Sequence, residues 1–256
     1  MKKTECFYLL LITLFLATCG LEDYPFINPV QESGIVRSSN NNARVPISND
    51  NDANNFFSHY TIFYRIYVSN VRSFVTTPEI FSTINGTLDS DYSYYFLPVI
   101  SSTTPGGDMH NLFSSRGYKY LCLEGNEIKN VLTSSVFDHI LEFDFPSNSR
   151  PVLRIKDNNN ITISTYTLWR SDGDRTFSPR PNRYFVHSTD LIKSSNLNDN
   201  TNADVTDLTA YSGPPERYTY AAFFIVAVGI DGFSNFYSNP TLIHVFQLPD
   251  EENISQ

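Results

Sequence analysis

The stretch RYTYAAFFIVAVGIDGFSNFYSNPTLIHVF, residues 217–246, decides how this chain is read. Tyr218 to Val228 is a run of aromatic, β-branched and small apolar residues. A strand with one wet face would alternate, so this run predicts a strand buried on both faces. Gly229, Asp231, Gly232, Ser234 and Asn235 then supply turn residues. Thr241 to Phe246 resumes as a second strand, entered through Pro240, where a missing N–H costs little. The expected element is a β-hairpin with a loop longer than two residues. Such a hairpin is marginal alone, so other strands have to cover it.

Those strands are legible upstream. In His59–Asn70, Tyr60, Ile62, Tyr64, Ile66 and Val68 take one face, while Thr61, Phe63, Arg65 and Tyr67 take the other. Gly117–Glu124, Ile140–Phe145, Val152–Ile155, Ile161–Trp169 and Arg183–His187 read as further strands. Tyr92–Ile100 is another apolar run, and Ala43–Ser48 a short strand. Pro78–Ile84 and Asn130–His139 are expected as short helices. Polar turns and loops join them, among them Asp157–Asn160 and Ser194–Pro215. The 256 residues, 14% of them aromatic, suit one large all-β domain with an aromatic core.

The chain opens MKKTECFYLLLITLFLATCG. Lys2 and Lys3 precede an apolar run from Phe7 to Ala17, which as a helix would span roughly 16 Å, too short for a bilayer core of about 30 Å. It reads as an export signal. Without residues 1–18, which carry Lys2, Lys3 and Glu5, 16 basic and 26 acidic residues remain, a net charge of −10. An acidic chain without a Lys/Arg cluster argues against nucleic acid as a partner.

Leu16-Ala17-Thr18-Cys19 resembles the lipobox of bacterial lipoproteins, with Thr18 standing where Gly or Ala is usual. That resemblance implies cleavage before Cys19, acylation of its thiol and new amine, and attachment to the outer (or inner) membrane. The hairpin resembles the last two strands of a fibronectin type III domain. Phe223, Ile225, Ala227 and Val228 fall like the end of its penultimate strand, Gly232 and Ser234 like its turn, and Ser238-Asn239-Pro240 like the opening of its last strand. His59–Val68 resembles its third strand. The chain departs where the family's corner tyrosine would fall at Ala221, beside Tyr220. The relaxed box, Asn-rich loops and terminal hairpin together are similar to surface lipoproteins of treponemes. The resemblance implies an immunoglobulin-like β-sandwich on an anchored envelope protein and carries no activity. The expected organisation is a signal peptide over 1–18, a lipidated Cys19 with a flexible Asn-rich tether to 55, a sandwich over 56–246 with a long β-rich insertion at about 72–216, and a polar tail over 247–256.

Signatures of chemistry are sparse. There is no G-x-S-x-G, H-E-x-x-H, Walker loop or C-x-x-C. His59, His110, His139, His187 and His244 are dispersed and predict no metal site. Ser171–Asp174 and Gly106–Asp108 read as turns, although clustered carboxylates would suit calcium. Asp138, Glu142 and Asp144 alternate along a strand and read as a solvated face, or as paired carboxylates of a glycan hydrolase of the cell envelope. Trp169 with Tyr166 would be the nucleus of a carbohydrate-binding platform. Cys6 leaves with the signal and Cys19 carries lipid, so Cys122 is the one free thiol, expected as a packing residue in line with Tyr118 and Tyr120. The function expected is non-catalytic binding or display, without cofactor, toward a protein or glycan ligand.

Overall fold

A computed structural model describes residues 26–38, 41–69, 118–171, 179–187, 204–207, 218–232 and 234–254. In chain order its strands are β1 (Val36–Ser38), β2 (Asn42–Pro46), β3 (Phe57–Ser69), β4 (Lys119–Leu123), β5 (Ile140–Asp144), β6 (Val152–Lys156), β7 (Thr162–Ser171), β8 (Pro179–Tyr184), β9 (Val205–Asp207), β10 (Tyr218–Asp231), β11 (Ser234–Tyr237) and β12 (Thr241–Gln247). The fold is all-β; the single α-helix described, α1 (Ile128–Val131), is one turn long. A longer helix was expected over Asn130–His139, but the Thr133 side chain accepts from the Ser135 N–H and a 3-10 turn follows at Ser134–Val136. The helix expected at Pro78–Ile84 and the run Tyr92–Ile100 lie outside the described residues.

The centre is β10. It pairs with β3 along its length, from Tyr218 opposite Ser69 to Gly229 opposite Phe57. Its other edge carries β12 beside Tyr220–Ile225 and β11 beside Val228–Asp231. Both faces are buried, as the unbroken apolar run requires. Ala221, Phe223, Ile225 and Ala227 join the larger core, and Tyr220, Ala222, Phe224, Val226 and Val228 a second cluster with Phe63 and Tyr67. The expected long loop is instead β11. β10 runs on to Asp231, Gly232 takes φ 59, and the chain returns on Ser234. The Phe236 ring then fills the space that a Cβ at Gly229 would need.

Two runs of strands face each other across the larger core: β1-β2-β5 and β4-β3-β10-β12. β6 and β7 extend from β5 and pair on to β4, so the runs form one curled sheet. Among the described strands every pairing is antiparallel except that of the short β9, which lies parallel to β3. The free ends of the curl meet through side chains. Arg37 of β1 donates from Nε to the Ile243 carbonyl at 2.9 Å and from Nη2 to the Leu242 carbonyl at 2.6 Å. Asn41, at φ 60, donates to the Gln247 carbonyl at 2.7 Å and accepts from the Gln247 N–H at 2.9 Å. Its amide thus reproduces a pair of backbone hydrogen bonds where no ladder exists.

The registers define two ends of the sheet. At the basal end β3, β5, β7, β11 and β12 begin and β2, β4, β6 and β10 finish. At the apical end lie Ser69, Ser171, Pro179, Asp207 and Tyr218. The connections 70–117, 172–178 and 208–217 therefore leave from the apical end and return to it.

The stretch expected to be a flexible tether is different from Phe26 onward. Ile27, Val30 and Ile35 are core residues. The Asn28 N–H donates to Asn51 Oδ1 at 2.9 Å, and Asn51 Nδ2 donates to the Asn28 carbonyl at 3.0 Å and the Tyr60 hydroxyl at 3.3 Å. Asparagine amides here satisfy backbone that a solvated spacer would leave to water. At the other terminus the expected polar tail is also packed. Leu248 is buried, and the His187 N–H donates to the Pro249 carbonyl at 2.7 Å.

Candidate functional site

The alternating carboxylates lie on the outer face of β2, β5 and β6, because Leu141 and Phe143 between them take the core side. Glu142 accepts from Lys156 Nζ at 2.8 Å and Arg154 Nη1 at 3.2 Å, with Arg44 Nε at 3.5 Å. Asp144 accepts from Arg154 Nη1 at 2.8 Å. Burial opposes the Glu142 charge, but Lys156, Arg154 and Arg44 outweigh it and hold its pKa below the ordinary value. Asp138 is outside this ladder, exposed at φ 60 before β5. Glu142 and Asp144 are held in ion pairs that share Arg154, and Asp138 stands apart from them.

The aromatic nucleus is also rearranged. Tyr166 packs against the larger core, whereas Trp169 lies on the other face of β7, half-buried with its indole nitrogen enclosed, and meets Tyr184 with centroids 4.7 Å apart. Residues three apart in a strand point to opposite faces, so these two cannot share a platform. The guanidinium of Arg150 lies 4.1 Å from the centroid of the Tyr184 ring. Trp169, Tyr184 and Arg150 thus form a cluster in place of the Tyr166–Trp169 pair.

A buried polar group ties β9 to the sheet. Arg170 donates from Nε to Asp204 Oδ2 at 2.9 Å and from Nη2 to Oδ1 at 2.6 Å. The side chains are 5% and 2% exposed, so this fork is a dry ion pair. The Tyr64 hydroxyl donates to Asp204 Oδ2 at 3.0 Å and accepts from the Ser171 N–H at 3.1 Å. Burial and the Asp204 charge push the Tyr64 phenol well above its ordinary pKa, so it remains a donor. Burial works against the Arg170 charge, but Asp204 outweighs it and raises the guanidinium. Sequence reading missed this group because Asp204 sits in a stretch that looks like polar loop.

Comparisons with protein-family models, with curated proteins and with solved structures found no match. The chain's own residues therefore carry the functional argument.

Cys122 is buried on β4, and burial pushes its thiol up to about 12. That makes it a packing residue with negligible thiolate at neutral pH. Among the described residues no group of three or more His, Cys, Asp or Glu could hold a metal ion, and no helix is long and apolar enough to cross a membrane. Cys19, the Ser171–Asp174 turn beyond Ser171, Gly106–Asp108 and His110 lie outside the described residues.

The surroundings of His244 give it a pH dependence. It is buried, edge-on to Phe246 at 4.9 Å, and neither ring nitrogen has a hydrogen-bond partner among the described residues. Burial, with the nearby Arg37 charge, lowers its pKa to about 4. The unfolded chain titrates near 6.5, so between these values it binds a proton that the folded state refuses. Stability is full above pH 6.5 and falls as the pH drops toward 4, by about 3 kcal/mol from this residue. His244→Phe is expected to flatten that part of the curve, measured as urea midpoints from pH 7 to 4. An unchanged slope would place the acid sensitivity elsewhere, with His59 next, since burial and Lys129 lower it to about 4 as well.

Proposed function

We propose that this chain is a bacterial envelope lipoprotein, anchored through acylated Cys19, that displays a recognition surface on a fibronectin type III-like sandwich without catalysing a reaction. The strand order supports the sandwich. β1-β2-β5 and β4-β3-β10-β12 follow the order in which that family arranges its first, second and fifth strands against its fourth, third, sixth and seventh. On this reading β6 and β7 are additions that bridge the two sheets along one side.

The observation that carries the display reading is the polarity of the sheet. The chain enters beside the basal end, where Asn54 Nδ2 donates to the Phe26 carbonyl at 2.6 Å in the β2–β3 connection. The long connections 70–117, 172–178 and 208–217 belong to the apical end. An anchor at Cys19 would hold the basal end toward the membrane and turn these connections outward. Connections on a rigid scaffold are where recognition residues concentrate. A glycan ligand is the second reading, supported by the half-buried Trp169–Tyr184 pair on the face of β7 away from the larger core. The hydrolase reading draws no support from Glu142 and Asp144, which are held in ion pairs.

Cys19→Ala is expected to yield a soluble or unprocessed protein that takes up no palmitate, because the acyl chains that would form a stable anchor are missing. Metabolic labelling with palmitate and fractionation of cells check it. Palmitate incorporation that persists in the variant would remove the anchor from this residue.

A further inference from the structure

Of the six large apolar side chains exposed among the described residues, five are not scattered. The six are Phe26 at 69%, Ile161 at 62%, Val36 at 61%, Ile163 at 55%, Ile230 at 44% and Phe56 at 38%. Phe56 immediately precedes β3, Ile161 immediately precedes β7 and Ile163 is its second residue, and Ile230 is next to last in β10. By the registers these are basal positions, whereas Val36, opposite Arg44 in the middle of β2, lies at mid-height. Phe26 joins them through Asn54, whose Oδ1 also accepts from the Phe56 N–H at 3.0 Å, and the Phe56 carbonyl accepts from the Ile230 N–H at 2.9 Å. Single exposed apolar residues such as Val36 need no explanation, but five gathered at one end of a sheet do.

We propose that this basal end rests on the lipid surface, its exposed apolar side chains seated among the headgroups. The inference rests on the anchor at Cys19 proposed above. Six residues separate Cys19 from Phe26, and the seven steps between the two, fully extended, reach at most about 25 Å. An acylated Cys19 therefore holds Phe26 within that distance of the bilayer. Phe26 is itself the most exposed of the six, so the patch begins where the anchor segment ends. Charge selects the kind of surface. Asp50, Asp52 and Asp231 are exposed at the same end, which disfavours an anionic leaflet and suits zwitterionic lipid.

The test uses the full-length acylated protein in phosphatidylcholine vesicles. An environment-sensitive fluorophore is placed at Ile230→Cys or, in the apical β5–β6 turn, at Ser147→Cys. Cys122 is buried and stays unlabelled. Nitroxide-bearing lipids are expected to quench the label at 230 at least about threefold more than the label at 147. Replacing Phe26, Phe56 and Ile163 with Ser is expected to bring 230 down to the level of 147, and adding phosphatidylglycerol to reduce quenching at 230. Equal quenching at the two positions, with acylation confirmed by the mass of the N-terminal peptide, would overturn the docking and leave the anchor standing. An N-terminal peptide without lipid mass would overturn both. Self-quenching at 230 that grows with protein density and is indifferent to nitroxide lipid would assign the end to a second copy of the chain, which also overturns it.

Discussion

Asp204→Ala is expected to cost the fold about 3–5 kcal/mol, among the largest effects of any single substitution here. The loss does not measure the worth of an ion pair. Arg170 is 5% exposed and Asp204 2% exposed, and the carboxylate receives two guanidinium bonds and the Tyr64 hydroxyl. Alanine removes the carboxylate that offsets most of the cost of burying the Arg170 charge. It also loosens β9, because the Asp204 carbonyl accepts from the Ile66 N–H and the side chain fixes that approach. The double variant Arg170→Met/Asp204→Leu is therefore expected to recover more than half of the loss, since apolar groups of similar size often replace a buried pair at little cost. Urea midpoints at constant slope measure both variants. A double variant as unstable as the single one would mean that the ion pair itself specifies this part of the fold.

Phe223→Ala is expected to cost a similar amount, about 3–5 kcal/mol, by a different route. Its ring lies 5.1 Å from Phe185, 5.4 Å from Phe145 and Phe246, 5.9 Å from Phe143 and 6.1 Å from Tyr64, centroid to centroid. Phe223 thus links β10 to β3, β5, β12 and the residue after β8. Five aromatic rings cannot close around a methyl group, so a cavity persists. Phe223→Leu keeps most of the volume and is expected to lose about 1 kcal/mol. The contrast should appear as a fall in Tm of about 10 °C against about 3 °C, from the scaling for domains of this size. Equal falls would mean that ring contacts rather than volume govern the site.

The two core residues differ in how visible they are beforehand. Phe223 belongs to a run whose apolar character at every position already demands burial on both sides, and β10 is buried on both sides. The alternation of His59–Val68 likewise assigns its faces, with Tyr60, Ile62, Tyr64, Ile66 and Val68 inward. Asp204 has no such signal. It meets Arg170 of β7 from 34 positions away in the sequence, and pairing at that range leaves no local period. The N-terminal segment escapes for a related reason. Ile27, Val30 and Ile35 are spaced as neither helix nor strand, and asparagines elsewhere in the segment satisfy the backbone. The Tyr166–Trp169 platform fails on strand geometry alone, since an odd separation divides the pair between faces. The basal gathering of apolar residues has no local signal because its members come from four separate segments that only the registers and turn contacts align.

The seam between β12 and the first strands also bears on crowding. A terminal strand normally presents free carbonyls and amides, and neighbouring molecules can extend one sheet into another through them. On β12 the carbonyls of Leu242, Ile243 and Gln247 and the Gln247 amide are already engaged by Arg37 and Asn41. A neighbouring copy held at high density in the same plane would find this edge occupied. Two side chains thereby protect the protein against polymerising with itself along β12.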